Sequence, residues 1–215
     1  MRYKGAIFDM DGILFDTERV FQETWHEIAE EYNVVLENNF MRVISGTTGQ
    51  HMCEIVERFY HVPDGSVIIA DCKERVRQKL LKHVPVKTGV YEILKLFKEM
   101  GVKTAVASSS AKEQIEANLR QTGTYEFFDA VVSGTQVEHG KPAPDVFLLA
   151  AEMIGCKPEE CYVFEDSENG VRAGHASGCT TIMIPDLVEP CDEIREISDK
   201  ICSDFWEVMH TVVEK

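Results

Sequence analysis

The sequence predicts an α/β protein: a Rossmann-like, doubly wound parallel sheet with an α-helical domain inserted after the first strand. Three observations carry that prediction. Short apolar runs alternate with helical stripes over most of the 215 residues. The stretch from about Glu18 to Leu81 breaks the alternation, holding helical stripes and no strand-like run. Four polar clusters follow the apolar runs, and in a parallel sheet the carboxyl ends of the strands share one edge.

The elements follow in order. Tyr3–Phe8 reads as the first strand. The chain then enters the insertion near Phe15–Thr17. One helical stripe comprises Phe21, Trp25, Ile28, Ala29 and Tyr32, and another Met52, Ile55, Val56 and Phe59. Arg75 to Leu81 lies in a third, charged helix. Large apolar residues at helical spacing are core, which assigns Phe21, Trp25 and Phe59. The alternation resumes after Pro85, with the exit near His83–Gly89. Residues 1–16 and 84–215 are therefore expected to form the core, and 17–83 a helical cap.

Beyond the insertion, Ile93, Leu94, Phe97 and Met100 mark a helix closed by Gly101. Lys103–Ala107 is the next strand. Ser110 and Glu113 have the spacing of a capping box, opening a helix through Ile115 and Leu119. Asp129–Ser133 is a strand. Pro144 and Asp145 start the helix of Phe147, Leu148, Ala151 and Ile154. Cys161–Phe164 and Thr180–Ile184 are strands flanking a helix that Gly178 ends, and Lys200–Cys202 is a weaker strand. The acidic run Glu189–Glu196 reads as a solvated helix face. Parallel strands need crossover helices, so both sheet faces should be covered and the strands apolar throughout.

Composition narrows the function. A chain with 44% hydrophobic residues is globular, and its length suits one core with a modest insertion. Lys and Arg total 22 against 37 Asp and Glu, for a net charge of −15. Such a surface repels nucleic acid and anionic membranes, because phosphate binding needs neutralising cations. Seven cysteines are an odd number, and Cys156 and Cys161 lack zinc-knuckle spacing, so they read as free thiols of a reducing cytosol. His26, His61, His175 and His210 show no ligand spacing either. An acid at residue 9 leaves no signal-peptide apolar region, and no apolar run nears the ~20 residues of a spanning helix. A soluble, cytoplasmic monomer is expected.

The clusters carry the chemistry. Asp9-Met10-Asp11-Gly12, Ser108-Ser109-Ser110, Gly140-Lys141-Pro142 and Glu165-Asp166-Ser167 should meet at the sheet's edge. Three or four carboxylates with one lysine and one serine match a Mg²⁺ site that also holds a phosphate, since Mg²⁺ takes hard oxygen ligands. The absence of His and Cys from the clusters argues against zinc. An Asp can serve as a nucleophile, forming an aspartyl-phosphate, with metal and Lys141 offsetting anion repulsion. Ser110 fits an N-cap better than a phosphate ligand, and Ser167 either caps the next helix or supports Asp166.

Asp9-Met10-Asp11-Gly12-Ile13-Leu14-Phe15-Asp16-Thr17, Ser108, Lys141-Pro142-Ala143-Pro144-Asp145 and Glu165-Asp166-Ser167 resemble the four motifs of the haloacid dehalogenase-like hydrolases. The resemblance is closer to the β-phosphoglucomutase-like branch, which includes small sugar-phosphate phosphatases and also inserts a helical cap after the first strand. It implies that Asp9 is the nucleophile and a Mg²⁺ ligand. It implies that Asp11 is general acid and then base, with its carbonyl on the metal. Ser108 and the neighbouring backbone at Ser109 would hold the phosphate, and Lys141 would balance charge. Asp166 would bind Mg²⁺, with Glu165 a ligand directly or through water. Thr17, Gln50 and His51, at the junction or in a cap loop, are candidates for touching substrate.

The expected activity is Mg²⁺-dependent hydrolysis of a small phosphorylated metabolite, a sugar phosphate, beneath a cap that excludes water. The alternatives are a mutase of the same branch and, from another class, a silent or phospho-acceptor binding module. A receiver-type module fails on order, since its acceptor Asp would follow a strand midway along the chain rather than the first, and a silent member should lack Asp9 or Asp11. The branch's mutases resemble one another in a His of the first cap helix and in a Lys and an Arg flanking a cap-loop Gly. Those positions fall here on Phe21, and on Ser45 and Gly49 around Gly46; Arg42 or Lys73 could substitute.

Overall fold

In the computed structural model, which describes residues 3–44, 47, 49–186 and 189–213, Gly5–Phe8 forms strand β1 at the middle of a six-stranded sheet. The inserted helices are α1 (Thr17–Glu31), α2 (Phe40–Ile44), α3 (Gly49–Tyr60) and α4 (Ser66–Lys82). The chain continues through α5 (Val90–Glu99), β2 (Lys103–Ser108), α6 (Lys112–Gln121), β3 (Ala130–Ser133) and α7 (Asp145–Met153). It ends through β4 (Cys161–Glu165), α8 (Glu168–Ser177), β5 (Thr180–Met183), α9 (Asp192–Ile197), β6 (Lys200–Ile201) and α10 (Phe205–Val208). All the strand pairs are parallel, in the order β3-β2-β1-β4-β5-β6. The chain builds outward from β1 on one side and then restarts beside it with β4. That reversal is the switch point where open α/β sheets bind their ligands.

The pleat of β1 sends neighbouring residues to opposite faces. Ile7 joins Ala105, Ala107, Val132 and Val163 beneath Phe147, Ala150 and Ala151 of α7. The small alanines let that helix sit close to the sheet. Phe8 points the other way, into a ring cluster with Phe164 at 4.9 Å, Phe205 at 5.8 Å and Phe97 at 6.1 Å. Burial of rings of this size contributes about 1.5–3 kcal/mol each.

Two compact units emerge, Met1–Asp16 with Pro85–Lys215, and Thr17–Val84. The second has its own core of Trp25, Phe40, Phe59 and Tyr60, with the Tyr60 hydroxyl donating to the Trp25 carbonyl at 2.6 Å. Phe21 is half-buried against it. The charge on α4 is used against α1: Arg75 grips Glu31 through two nitrogens, and Lys79 reaches Glu27 and Thr24. In the first unit, the outgoing and returning segments run side by side. Asp16 N–H donates to the Pro85 carbonyl at 2.9 Å, and Lys87 N–H to that of Leu14 at 3.0 Å. Phe15 and Val86 pair as an antiparallel bridge.

Three local expectations are corrected. Helix α6 takes Ala111, with no side-chain cap, as its N-cap, so Ser110 and Glu113 form no capping box. Tyr32, placed in the first helical stripe, lies past the end of α1, where Asn33 turns the chain at φ 56°, and is exposed. The short α2 has no counterpart in the expected elements. Gly101 follows Met100, which ends α5, whereas Gly178 caps α8 directly at φ 78°. Among the described residues, no helix is long and apolar enough to cross a membrane.

Candidate active site

Parallel register brings the clusters together. Phe8 pairs with Phe164 across β1 and β4, so Asp9 and Glu165 leave adjacent strand ends side by side. Asp9 N–H continues the ladder, donating to the Phe164 carbonyl at 3.0 Å. On the other flank, β2 ends at Ser108, and β3 beyond it ends at Ser133.

Lys141 enters this edge from the loop before α7. Its Nζ donates to Asp9 Oδ1 at 2.5 Å, to Glu165 Oε1 at 2.6 Å and to the Ala107 carbonyl at 3.2 Å. An ammonium has three protons, and all three are placed. Its charge also sits 4.8 Å from the Phe147 ring centroid. The lysine side chain is 7% exposed and Glu165 is 1% exposed. Two carboxylates and one ammonium thus share a nearly dry pocket with a net charge of −1. Burial, with help from Glu165 and Asp11, lifts the Asp9 carboxyl to about 7, although Lys141 pulls it down. Burial alone would depress Lys141, but the facing carboxylates hold it above its ordinary value.

Glu165, expected at the metal directly or through water, has both oxygens hydrogen-bonded within the protein. Oε1 takes Lys141, and Oε2 accepts from Asp166 N–H, Ser167 N–H and the Ser167 hydroxyl, each at 3.0 Å. It therefore ties the lysine to the β4–α8 turn instead of offering a free oxygen. Ser167 does cap α8, accepting from Gly170 N–H at 3.1 Å, and its hydroxyl supports Glu165 rather than Asp166. Gly170 was missed at the sequence level. A Cβ there would lie 1.8 Å from the Glu165 carboxyl carbon, so only glycine leaves room for that side chain. A glycine in the first turn of a helix, unfavourable by about 1 kcal/mol against alanine, was the available signal.

Asp166 is half-buried, and its carboxylate rests on the loop after β1. A Cβ on Gly12, which sits at φ 80°, would come 2.2 Å from Asp166 Oδ2. Ser108 is buried, and its Oγ accepts Ser110 N–H at 3.1 Å, leaving the hydroxyl proton to donate; Ser109 is exposed beside it. The Ser110 hydroxyl, expected at a helix start, donates to Asp11 Oδ2 at 3.1 Å. The edge therefore gathers Asp9, Asp11, Ser108, Lys141, Glu165 and Asp166. Thr17 is buried at the start of α1, while Gln50 and His51 are exposed in the first turn of α3. These three belong to the second unit. Ser45 and Gly46 lie outside the described residues.

An aspartate on the switch point, paired to a buried lysine with a second aspartate two residues on, defines a hydrolase of the phosphoryl-handling type. The chain belongs to the haloacid dehalogenase-like hydrolases, whose family profile matches residues 6–184. Several of its relatives are named as phosphatases. A phosphorylated carbohydrates phosphatase of Thermotoga maritima is 34% identical over 83% of this chain and 83% of its own. The fructose-1-phosphate phosphatase YqaB of Escherichia coli is 34% identical over 84% of this chain and 96% of its own. A family hydrolase of Deinococcus radiodurans, solved with bound phosphate and sodium, shares the fold at a TM-score of 0.87 and 22% identity, over 99% and 96% of the two chains.

Proposed function

We propose that the protein is a Mg²⁺-dependent phosphatase that hydrolyses a small phosphorylated metabolite, a sugar phosphate, through an aspartyl-phosphate. The observation that carries this is the Asp9–Lys141–Glu165 triad with Asp11 two residues beyond. Asp9 attacks phosphorus, and the P–O bond to the leaving group breaks as Asp11 gives that oxygen its proton. Asp11 then takes a proton from water, whose oxygen attacks the same phosphorus and releases inorganic phosphate and free Asp9. Lys141 holds Asp9 in position, the Ser108 hydroxyl and nearby N–H groups hold phosphoryl oxygens, and Glu165 holds Lys141.

The donors suit a divalent cation of the hard class. Among the described residues, no three His, Cys, Asp or Glu side chains form a ready-made cage. Mg²⁺ needs none, since one or two carboxylates, waters and substrate phosphate satisfy it. The bare Cα of Gly12 leaves room for the Asp166 carboxylate against the Asp11–Gly12 backbone. Asp9, the Asp11 carbonyl and Asp166 would hold the ion, and Glu165 would act behind them. When bound, it supplies positive charge against the phosphoryl oxygens.

The charge of −15 supports a small-molecule substrate rather than nucleic acid or a membrane surface, and seven free thiols fit a reducing cytoplasm. Thr17–Val84 would act as the cap, with Thr17, Gln50 and His51 as its substrate-facing candidates. The test is phosphate release from a panel of phosphomonoesters, with and without Mg²⁺. Metal-stimulated release from sugar phosphates is expected, and a panel without any turnover overturns the proposal. β-Glucose 1-phosphate with catalytic glucose 1,6-bisphosphate separates the mutase: rapid glucose 6-phosphate with little inorganic phosphate would replace the hydrolase.

A further inference from the structure

We infer that Ser110 is a positioning residue for Asp11, holding the acid–base carboxylate at a fixed orientation; the inference rests on the acid–base role proposed above. The Ser110 hydroxyl donates to Asp11 Oδ2 across 99 residues of sequence. It can do so because α6 makes no use of it, Ala111 being the N-cap. The serine backbone is pinned at both polar atoms. Its N–H donates to Ser108 Oγ at 3.1 Å, and its carbonyl accepts from the Ser133 hydroxyl at 2.6 Å. Ser133 is itself fully buried and fixed, with its N–H donating to Gln136 Oε1 at 2.9 Å. With the backbone held from both sides, the side chain has one torsion left, and the Asp11 contact sets it.

The choice of a hydroxyl has a chemical consequence. Asp11 must be an acid in one half-reaction and a base in the next. A lysine or amide N–H can only donate, and cannot accept from the protonated oxygen of the acid. A hydroxyl donates to the carboxylate and, by turning its O–H, accepts from the carboxylic acid at the same heavy-atom geometry. Ser110 can therefore keep Asp11 in place through both steps.

Removing the hydroxyl is a clean perturbation, because both backbone bonds survive in Ser110→Ala. The readout is kcat/KM, which reports phosphoenzyme formation, for p-nitrophenyl phosphate and for a sugar phosphate turned over by the wild type. A sugar alkoxide needs a proton on leaving, whereas p-nitrophenolate hardly does. Ser110→Ala is expected to lose about tenfold or more on the sugar phosphate and less than about threefold on p-nitrophenyl phosphate. Ser110→Thr should restore the sugar phosphate rate, and an unchanged melting temperature would show that the fold is kept. Equal losses on both substrates, or no loss on the sugar phosphate, overturn the inference. Asp11→Asn separates the levels. If it shows the leaving-group selectivity and Ser110→Ala does not, Ser110 alone is misassigned. If neither shows it, the acid–base role of Asp11 fails as well.

Discussion

Lys141→Met tests how the cluster balances charge. The substitution keeps an unbranched side chain of similar length but leaves Asp9 and Glu165 buried without their shared cation. Two charge-assisted hydrogen bonds to carboxylates disappear, each worth about 1.5–3 kcal/mol, along with the longer one to the Ala107 carbonyl. Their sum agrees with the ~3–5 kcal/mol typical of breaking a buried ion pair. At about 2–4 °C per kcal/mol for a chain of this size, the melting temperature at pH 8 in EDTA should fall by about 6–20 °C. The penalty should depend on pH in one direction. Without the lysine, which pulls it down, the Asp9 carboxyl moves up further, so the folded variant binds a proton that its unfolded chain releases. Its stability therefore drops as pH rises, more steeply than that of the wild type, and the gap narrows at pH 5. Thermal melts of both proteins at pH 5 and pH 8 check this. A loss under about 2 °C at pH 8, or an equal loss at both pH values, would refute the charge argument.

Two further outcomes follow from the same geometry. Gly170→Ala drives a methyl into the Glu165 carboxyl; it should cost about 1–3 kcal/mol by overpacking and lower kcat by at least tenfold as Lys141 loses its anchor. Denaturant unfolding and steady-state assays measure both, and an alanine variant with wild-type kcat would remove Glu165 from its anchoring role. Asp9→Asn concerns a carboxyl lifted to about 7 in the fold from the ordinary ~4. Between those values the folded wild type holds a proton that the unfolded chain gives up, so its stability declines as pH rises, and the amide removes that slope. In EDTA the variant should gain on the wild type from pH 4 to pH 8; parallel melting curves would contradict the placement of the shift.

Much of this arrangement was legible because it rests on short-range pattern. β1 and β4 are buried on both faces, so their apolar runs stood out, and the acids after them fell at one edge by topology alone. The depth of Lys141 was not legible, since a lysine before a proline looks like any loop lysine until Asp9 and Glu165 close on it. Ser110 and Glu113 had the spacing of a cap, but a partner 99 residues away claimed the hydroxyl. The hydrogen bonds that engage Glu165 were not legible, because its donors, the Asp166 and Ser167 amides, are brought to it only once the β4–α8 turn has formed. The four-strand-end logic found the acids; it could not say which of them faces inward to the protein.

The stitched crossing at Asp16–Pro85 and Leu14–Lys87 bears on how such a chain can diversify. Its backbone bonds hold the two ends of Thr17–Val84 together from the core side, so to the sheet that segment is a closed loop of arbitrary content. Closing a longer loop costs only about 0.6 kcal/mol for each doubling of length. The segment also brings its own aromatic centre around Trp25 and Phe40. Length and composition between the two crossing points are therefore nearly decoupled from the stability of the catalytic edge. Selection could replace the entire segment while Asp9, Lys141 and Glu165 stay where the strands put them.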